Sequence, residues 1–126
     1  MSARERDVRV VLLVDDHVDT REMYAEYLRA MGSFETRHAS TCKDAVDIAV
    51  RDAIDAVILD RGLPDGDGGE VCRRLRDDPR TRKVPIIVLS GRSDDGSLAA
   101  DAYLLKPVVP ETLLAELLRL LKLPPS

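Results

Sequence analysis

Four short apolar runs punctuate the chain, and each passes directly into a polar residue. Val10-Val11-Leu12-Leu13-Val14 leads into Asp15-Asp16, and Val57-Ile58-Leu59 leads into Asp60. Ile86-Ile87-Val88-Leu89 leads into Ser90, and Tyr103-Leu104-Leu105 leads into Lys106. Runs of this length, rich in Val, Ile and Leu, predict strands buried on both faces of a parallel sheet. Ligands of such sheets bind just beyond the carboxyl ends of the strands. Three carboxylates, a hydroxyl and an ammonium are therefore expected along one rim.

Helical patterns lie between the runs, so strand and helix alternate along the chain. Asp19 is expected to cap a first helix, with Glu22 completing a capping box, Met23, Tyr27 and Met31 at helical spacing, and Gly32 as the stop. Residues 34–39 read as a weak polar strand suited to a sheet edge. A second helix is expected from Thr41 to Arg51. A third is capped by Asp67, with Glu70 three residues on and Pro79 beyond its end. The last begins at Pro110, a favoured first-turn proline, and runs to Leu121. One domain is expected over residues 8–122, with loose ends at 1–7 and 123–126.

Composition narrows the classes. The chain has 126 residues, 44% hydrophobic and 33% charged, which suits one globular unit with a real core. A net charge of −4 gives the domain no electrostatic reason to bind nucleic acid directly. No apolar stretch approaches the ~18 residues of a membrane span, so no membrane insertion is expected, and the protein is read as cytoplasmic. Cys42 and Cys72 have neither metal-ligand spacing nor a disulfide framework, and read as packed intracellular thiols.

The residues on the rim permit one kind of chemistry in particular. A lone Asp-Asp pair is ordinarily a solvated acidic loop. Adjacent carboxylates following a buried strand, with Asp60 ending another, favour a hard divalent cation such as Mg²⁺. Asp60 can act as a nucleophile toward phosphorus and form an acyl phosphate. Lys106 offers a mobile positive charge to phosphoryl oxygens, and Ser90 a hydroxyl donor.

The motifs Leu13-Val14-Asp15-Asp16, Leu59-Asp60, Leu63-Pro64-Asp65-Gly66-Asp67-Gly68, Leu89-Ser90-Gly91 and Tyr103-Leu104-Leu105-Lys106-Pro107 resemble the receiver domain of two-component response regulators. The likeness runs from about Val10 to Leu121, and its order and spacing match as well: 44 positions separate Asp16 from Asp60, and 30 separate Asp60 from Ser90. The resemblance implies a flavodoxin-like, doubly wound five-stranded sheet of order 2-1-3-4-5. It implies that Asp60 takes phosphate from a phosphohistidine on a histidine kinase or a histidine phosphotransfer protein. Mg²⁺ would be held by Asp16, Asp60 and the Gly62 backbone carbonyl, with Asp15 helping through water. Ser90 and Tyr103 would be switch residues, Lys106 would bridge to the phosphate, and the bond before Pro107 would be cis.

The chain departs from that pattern in places. Ser90 and Lys106 are only 16 positions apart, about half a dozen fewer than usual. At ~1.5 Å of rise per residue this removes more than a turn and a half of helix. The remaining Ser93-Asp94-Asp95-Gly96-Ser97 is turn chemistry, so the fourth helix is expected to be a single turn or a loop. Arg61 stands where an apolar residue is common; it is expected either to turn to solvent or to pair with the acidic pocket. Gly62 and Arg92 occupy positions that tune acyl-phosphate lifetime, and Val108 replaces a frequent aromatic. His17 and His38 read as solvated. Six leucines of the last helix span an arc of roughly 160°, wider than the ~100° one packed face requires. They are expected either to bury internally or to form a contact with a second copy, giving a homodimer, or with a partner.

A phospho-accepting switch acting on a downstream protein is the leading function, either by docking or by passing phosphate onward in a relay. The alternative is a pseudo-receiver, an interaction module of the same fold that is not phosphorylated. A phosphohydrolase working on outside substrates is disfavoured, because Gly62 stands where such enzymes carry their second carboxylate.

Overall fold

The computed structural model describes residues 8–124. Of the ends expected to be loose, 1–7 and 123–126, residues 1–7 and 125–126 lie outside the described residues, while Leu123 packs on the core and donates its N–H to the Leu118 carbonyl at 2.9 Å. Seven strands and four helices follow one another within it. Strands β1 (Val10–Val14), β2 (Glu35–Ala39), β3 (Ala56–Asp60), β6 (Ile86–Ser90) and β7 (Ala102–Leu105) form one sheet of order β2-β1-β3-β6-β7, and every pairing is parallel. The two remaining strands, β4 (Gly62–Leu63) and β5 (Gly66–Asp67), make a small antiparallel hairpin just after β3. With that hairpin set aside, the order is the expected flavodoxin-like one.

Alternation along the strands divides the core into two layers. Leu12, Val14, Val57, Leu59, Ile86 and Val88 face helices α2 (Cys42–Arg51) and α3 (Gly68–Asp77). Val11, Leu13, Ile58, Ile87 and Leu89 face α1 (Val18–Gly32) and α4 (Pro110–Leu121). Every residue of β3 and β6 is buried, as the continuous apolar runs required. On α4, Leu113, Leu114 and Leu117 are fully covered. Leu118, Leu120 and Leu121 are half-buried against the same layer, so the wide leucine arc is largely used inside the chain. Burying one such side chain stabilises by ~1.5–3 kcal/mol.

The first helix departs from expectation at its start and in its buried face. It begins at Val18, His17 takes the N-cap position without a capping side chain, and Asp19 falls inside the first turn. There its charge still complements the amino end of the helix. The buried residues are Tyr24, Ala25 and Leu28, whereas Met23 and Met31 are exposed. Tyr24 fixes this rotation of the helix, because its hydroxyl donates to the Val108 carbonyl at 2.6 Å. The helix does stop at Gly32, but Ser33 takes the left-handed cap conformation (φ 59°), and Gly32 is needed for packing, since an added Cβ would lie 2.7 Å from the Phe34 ring and 2.9 Å from Leu114.

Asp67 caps as expected, and Thr41 adds a cap at the start of α2. Thr41 accepts from the Asp44 N–H on α2, and Asp67 accepts from the Gly69 N–H on α3. Glu70 is turned toward Arg73 and does not complete a box. A further cap comes from the hairpin. Both Asp65 carboxylate oxygens accept from the first N–H groups of α2, Cys42 at 2.7 Å and Lys43 at 3.2 Å. These bonds hold the Asp65 carboxyl below its ordinary value.

No helix forms between β6 and β7. Residues 91–101 are a loop whose Leu98 and Ala100 pack on the α2–α3 layer. Arg76 of α3 anchors the far end of this loop. Its Nε donates to the Ala99 carbonyl at 3.0 Å, and its Nη2 meets Asp101 at 2.7 Å. The same Asp101 carboxylate accepts the Ile86 N–H at 2.8 Å, starting β6.

Candidate functional site

Parallel strands that end together bring their last residues together. Asp15 and Asp16 follow β1, Asp60 ends β3, Ser90 ends β6 and Lys106 follows β7. Asp15, Asp16, His17 and Asp60 each offer a ligand atom within 4.8 Å of the others. Asp60 is only 5% exposed, and the Lys106 Nζ lies 2.8 Å from its Oδ1. Burial works against the Lys106 ammonium. The hydrogen bond and charge of Asp60, backed by Asp15, outweigh this and hold its pKa above the ordinary lysine value.

Each carboxylate has an anchor. Asp15 Oδ1 accepts the His17 N–H at 2.9 Å, and Arg21 donates to the Asp15 carbonyl at 2.6 Å. Asp60 Oδ1 also accepts the Gly62 N–H at 3.3 Å. Ser90 is buried, with its Oγ accepting the Arg92 N–H at 3.1 Å. Asp60, Gly62, Ser90, Arg92 and Lys106 line one open cleft of about 570 Å³. The peptide bond from Lys106 to Pro107 is cis. The three carboxylates, the hydroxyl and the ammonium expected on the rim therefore meet there, and Tyr103 stands beside the cleft with its hydroxyl on the Arg92 carbonyl.

Two residues make contacts that the sequence did not foretell. The His17 side chain is exposed, yet its Nδ1 lies 3.1 Å from both Asp15 and Asp16, which makes it part of the acidic cluster. Its position directly after the acidic pair was the available signal. Arg61 neither turns to solvent nor enters the cluster. Its side chain is 11% exposed and packs by Tyr103, with the guanidinium carbon 6.0 Å from the ring centroid. Its Nη1 donates to the Tyr103 hydroxyl at 3.0 Å, and that hydroxyl donates to the Arg92 carbonyl at 2.8 Å. Asp67 lies 3.5 Å and Asp95 4.0 Å from the guanidinium. The bond to Tyr103 and these carboxylates hold Arg61 charged even more firmly than usual. His38 is exposed on β2. The two cysteines are free and buried, and burial pushes both thiols up to about 11.

Residues 11–118 match the profile of the response regulator receiver domain. The chain belongs to this family. It is 38% identical over 120 residues to the transcriptional regulatory protein GltR of Pseudomonas aeruginosa, covering 90% of this chain and 49% of that protein. It is 38% identical over 117 residues to the response regulator PleD of Caulobacter vibrioides, covering 86% of this chain and 24% of that protein. The chain thus spans half or less of the length of these two relatives. A putative response regulator from Chloroflexus aurantiacus is similar at 31% identity and a TM-score of 0.83, with 90% of this chain and 98% of that one covered. The receiver domain of a sensor histidine kinase from Pseudomonas aeruginosa, solved with a magnesium ion coordinated in its active-site cleft, is 28% identical. Its TM-score is 0.83, with the same coverage of both chains.

As a receiver domain, the chain has the fold of a signalling module and an acidic cluster able to hold a metal ion. Among the described residues no helix is long and apolar enough to cross a membrane.

Proposed function

We propose that this receiver domain is a phospho-accepting switch, with Asp60 as the acceptor. The observation that carries the reading is the position of Asp60: buried at a strand end, 2.8 Å from the Lys106 ammonium and within reach of Asp15 and Asp16. A carboxylate so placed keeps one oxygen paired and presents the other to the cleft. The donor is a phosphohistidine on a histidine kinase or a histidine phosphotransfer protein. An Asp60 oxygen forms the new bond to phosphorus as the bond from phosphorus to the imidazole nitrogen breaks, and the imidazole leaves. Lys106 then moves its charge onto a phosphoryl oxygen, and the Ser90 hydroxyl donates to another.

The carboxylate oxygens of Asp15, Asp16 and Asp60 are hard donors, which fits Mg²⁺, and the exposed His17 imidazole is the one nitrogen beside them. Asp16, Asp60 and the Gly62 carbonyl would hold it, with Asp15 helping through water. The related histidine-kinase receiver with magnesium in its cleft supports this assignment. When bound, the ion neutralises charge on the attacking and transferred oxygens. Gly62 leaves the acceptor open to water, whereas Arg92 lines the same cleft, so these two set how long the acyl phosphate survives. Supply by a kinase fits a cytoplasmic module, and the phosphorylated surface would then regulate a downstream protein.

Acetyl phosphate with Mg²⁺ tests the reading. One phosphate per chain is expected on the wild type and none on Asp60→Asn, with the Asn variant still folded by circular dichroism. Failure of the folded wild type to label would sink it in favour of the pseudo-receiver. The missing helix and the buried Arg61 are the observations on that side. A strict monomer in sedimentation, with and without phosphate, would dismiss self-association through α4.

A further inference from the structure

Arg61 immediately follows the proposed acceptor, is almost wholly buried, and has no part in the phosphorylation chemistry described above. Its backbone is immobilised on two sides. Its N–H donates to the Leu89 carbonyl at 3.0 Å, in register with β6, and its carbonyl accepts the Gly68 N–H at 2.6 Å, at the start of α3. The side chain therefore extends from a fixed base. From Arg61 a chain of three contacts returns to the cleft: Arg61 to the Tyr103 hydroxyl, Tyr103 to the Arg92 carbonyl, and the Arg92 N–H to Ser90 Oγ. Both ends of this circuit line the cleft, and Asp60 is bonded in sequence to its first member.

The circuit lies where the fold lacks its helix. Arg76 anchors only the far end of the 91–101 loop, at Ala99 and Asp101. The near end, which carries Arg92 and continues from Ser90, is tied down through Tyr103. A guanidinium suits this place better than an ammonium. Its planar fork reaches the Tyr103 hydroxyl while its other edge faces Asp67 and Asp95.

We propose that Arg61 is a positioning residue: it holds the Tyr103 hydroxyl and, through it, the Arg92 end of the loop, so that the residue beside the acceptor keeps Ser90 in place where a helix is missing. Given the phospho-acceptor reading, the bond from Arg61 to Tyr103 must break before Tyr103 turns and Ser90 moves toward a phosphoryl group. Arg61 thereby sets the resting state of the switch.

The test is amide hydrogen exchange by NMR on the unphosphorylated chain, so it does not depend on whether Asp60 labels. Wild type, Arg61→Ala, Arg61→Lys, Tyr103→Phe and the Arg61→Ala/Tyr103→Phe double variant are compared. Each single variant is expected to speed exchange at Arg92 and across residues 91–98 by tenfold or more, with β1 and β3 unchanged. The double variant is expected to exchange no faster than Arg61→Ala, which already cuts the circuit and also removes the weaker contact from Arg61 to Asp95. Loop exchange within twofold of wild type in Tyr103→Phe, effects that multiply in the double variant, or full restoration by Lys would each overturn the proposal. Should Arg61→Ala not fold, Arg61→Lys and Tyr103→Phe, which preserve volume, decide alone. Failure of acetyl phosphate to label Asp60 would refute the proposed function and leave this result standing.

Discussion

Gly68 opens α3 directly over the end of β3, and a single methyl group there has a calculable effect on fold and site. A Cβ at Gly68 would lie 2.9 Å from the Arg61 Cα, 3.1 Å from the Asp60 carbonyl oxygen and 3.3 Å from the Arg61 carbonyl oxygen. Carbon atoms rest about 3.5–4.0 Å apart, so the shortfall at Arg61 is roughly 0.6–1 Å. All three obstacles are backbone, and none can rotate aside. Either α3 lifts or the acceptor end of β3 shifts, at the ~1–3 kcal/mol typical of overpacking. Against this, Ala restricts the unfolded chain and returns ~0.4–1 kcal/mol. Gly68→Ala is therefore expected to lose about 1–2 kcal/mol, a fall in Tm of roughly 4–8 °C for a domain of this size. Gly62→Ala and Gly91→Ala are the controls. Neither Cβ meets an atom within 4 Å, and neither residue has a positive φ, so each is expected to be neutral or stabilised by up to ~1 kcal/mol. Urea unfolding followed by circular dichroism at constant m measures all three. Gly68→Ala matching the controls would refute the close approach of α3 to Asp60 and Arg61.

Lys106→Ala removes the cation that competes for Asp60 Oδ1. Mg²⁺ affinity in a fluorescence or calorimetric titration is expected to rise severalfold, while phosphorylation-induced amide shifts at Ser90 and Tyr103 collapse; equal shifts in variant and wild type contradict the role given to Lys106. The buried thiols make a chemical prediction: with pKa values near 11, Cys42 and Cys72 are expected to react with a disulfide reagent at pH 8 over a hundredfold slower folded than unfolded. They also make a pH prediction. The folded pKa of Cys72 is raised above its unfolded value, so its contribution is complete below about pH 9 and disappears as pH rises toward about 11. Stability of the wild type is expected to fall by about 2–3 kcal/mol more across that window than stability of Cys72→Ala, measured by urea unfolding at each pH.

The parts of this fold legible in the sequence were those governed by local pattern. Each apolar run became a strand, buried in β1, β3 and β6 but only partly covered in β7, which lies at the sheet edge with Leu105 exposed; because the strands are parallel, the residues after them had to meet. Asp15, Asp16, Asp60, Ser90 and Lys106 were found for that reason alone. The short distance from Ser90 to Lys106, set against the usual receiver spacing, foretold that the fourth helix would shrink to a turn or a loop, and it is a loop. What could not be read depended on tertiary contact. Helix α1 is polar on most of its surface, so its 3.6-residue spacing allowed a face built on Met23 and Met31; packing of Ala25 and Leu28, with the bond from Tyr24 to Val108, selects the other. Arg61 looked like a surface charge or a competitor for the acidic cluster. Its actual partner, Tyr103, is 42 positions away and becomes a neighbour because β3 pairs with β6 and β6 with β7. The β4–β5 hairpin was hidden inside a motif read as chemistry.

The cap that Asp65 places on α2 makes the two banks of the cleft mechanically unequal. One bank, residues 62–67, is nailed to a helix terminus by backbone amides; the other, residues 92–98, hangs from side chains. An inserted epitope tag or a bulky spectroscopic label would be absorbed near Asp94–Gly96, whereas the same cargo after Gly62 would pry α2 from its seat.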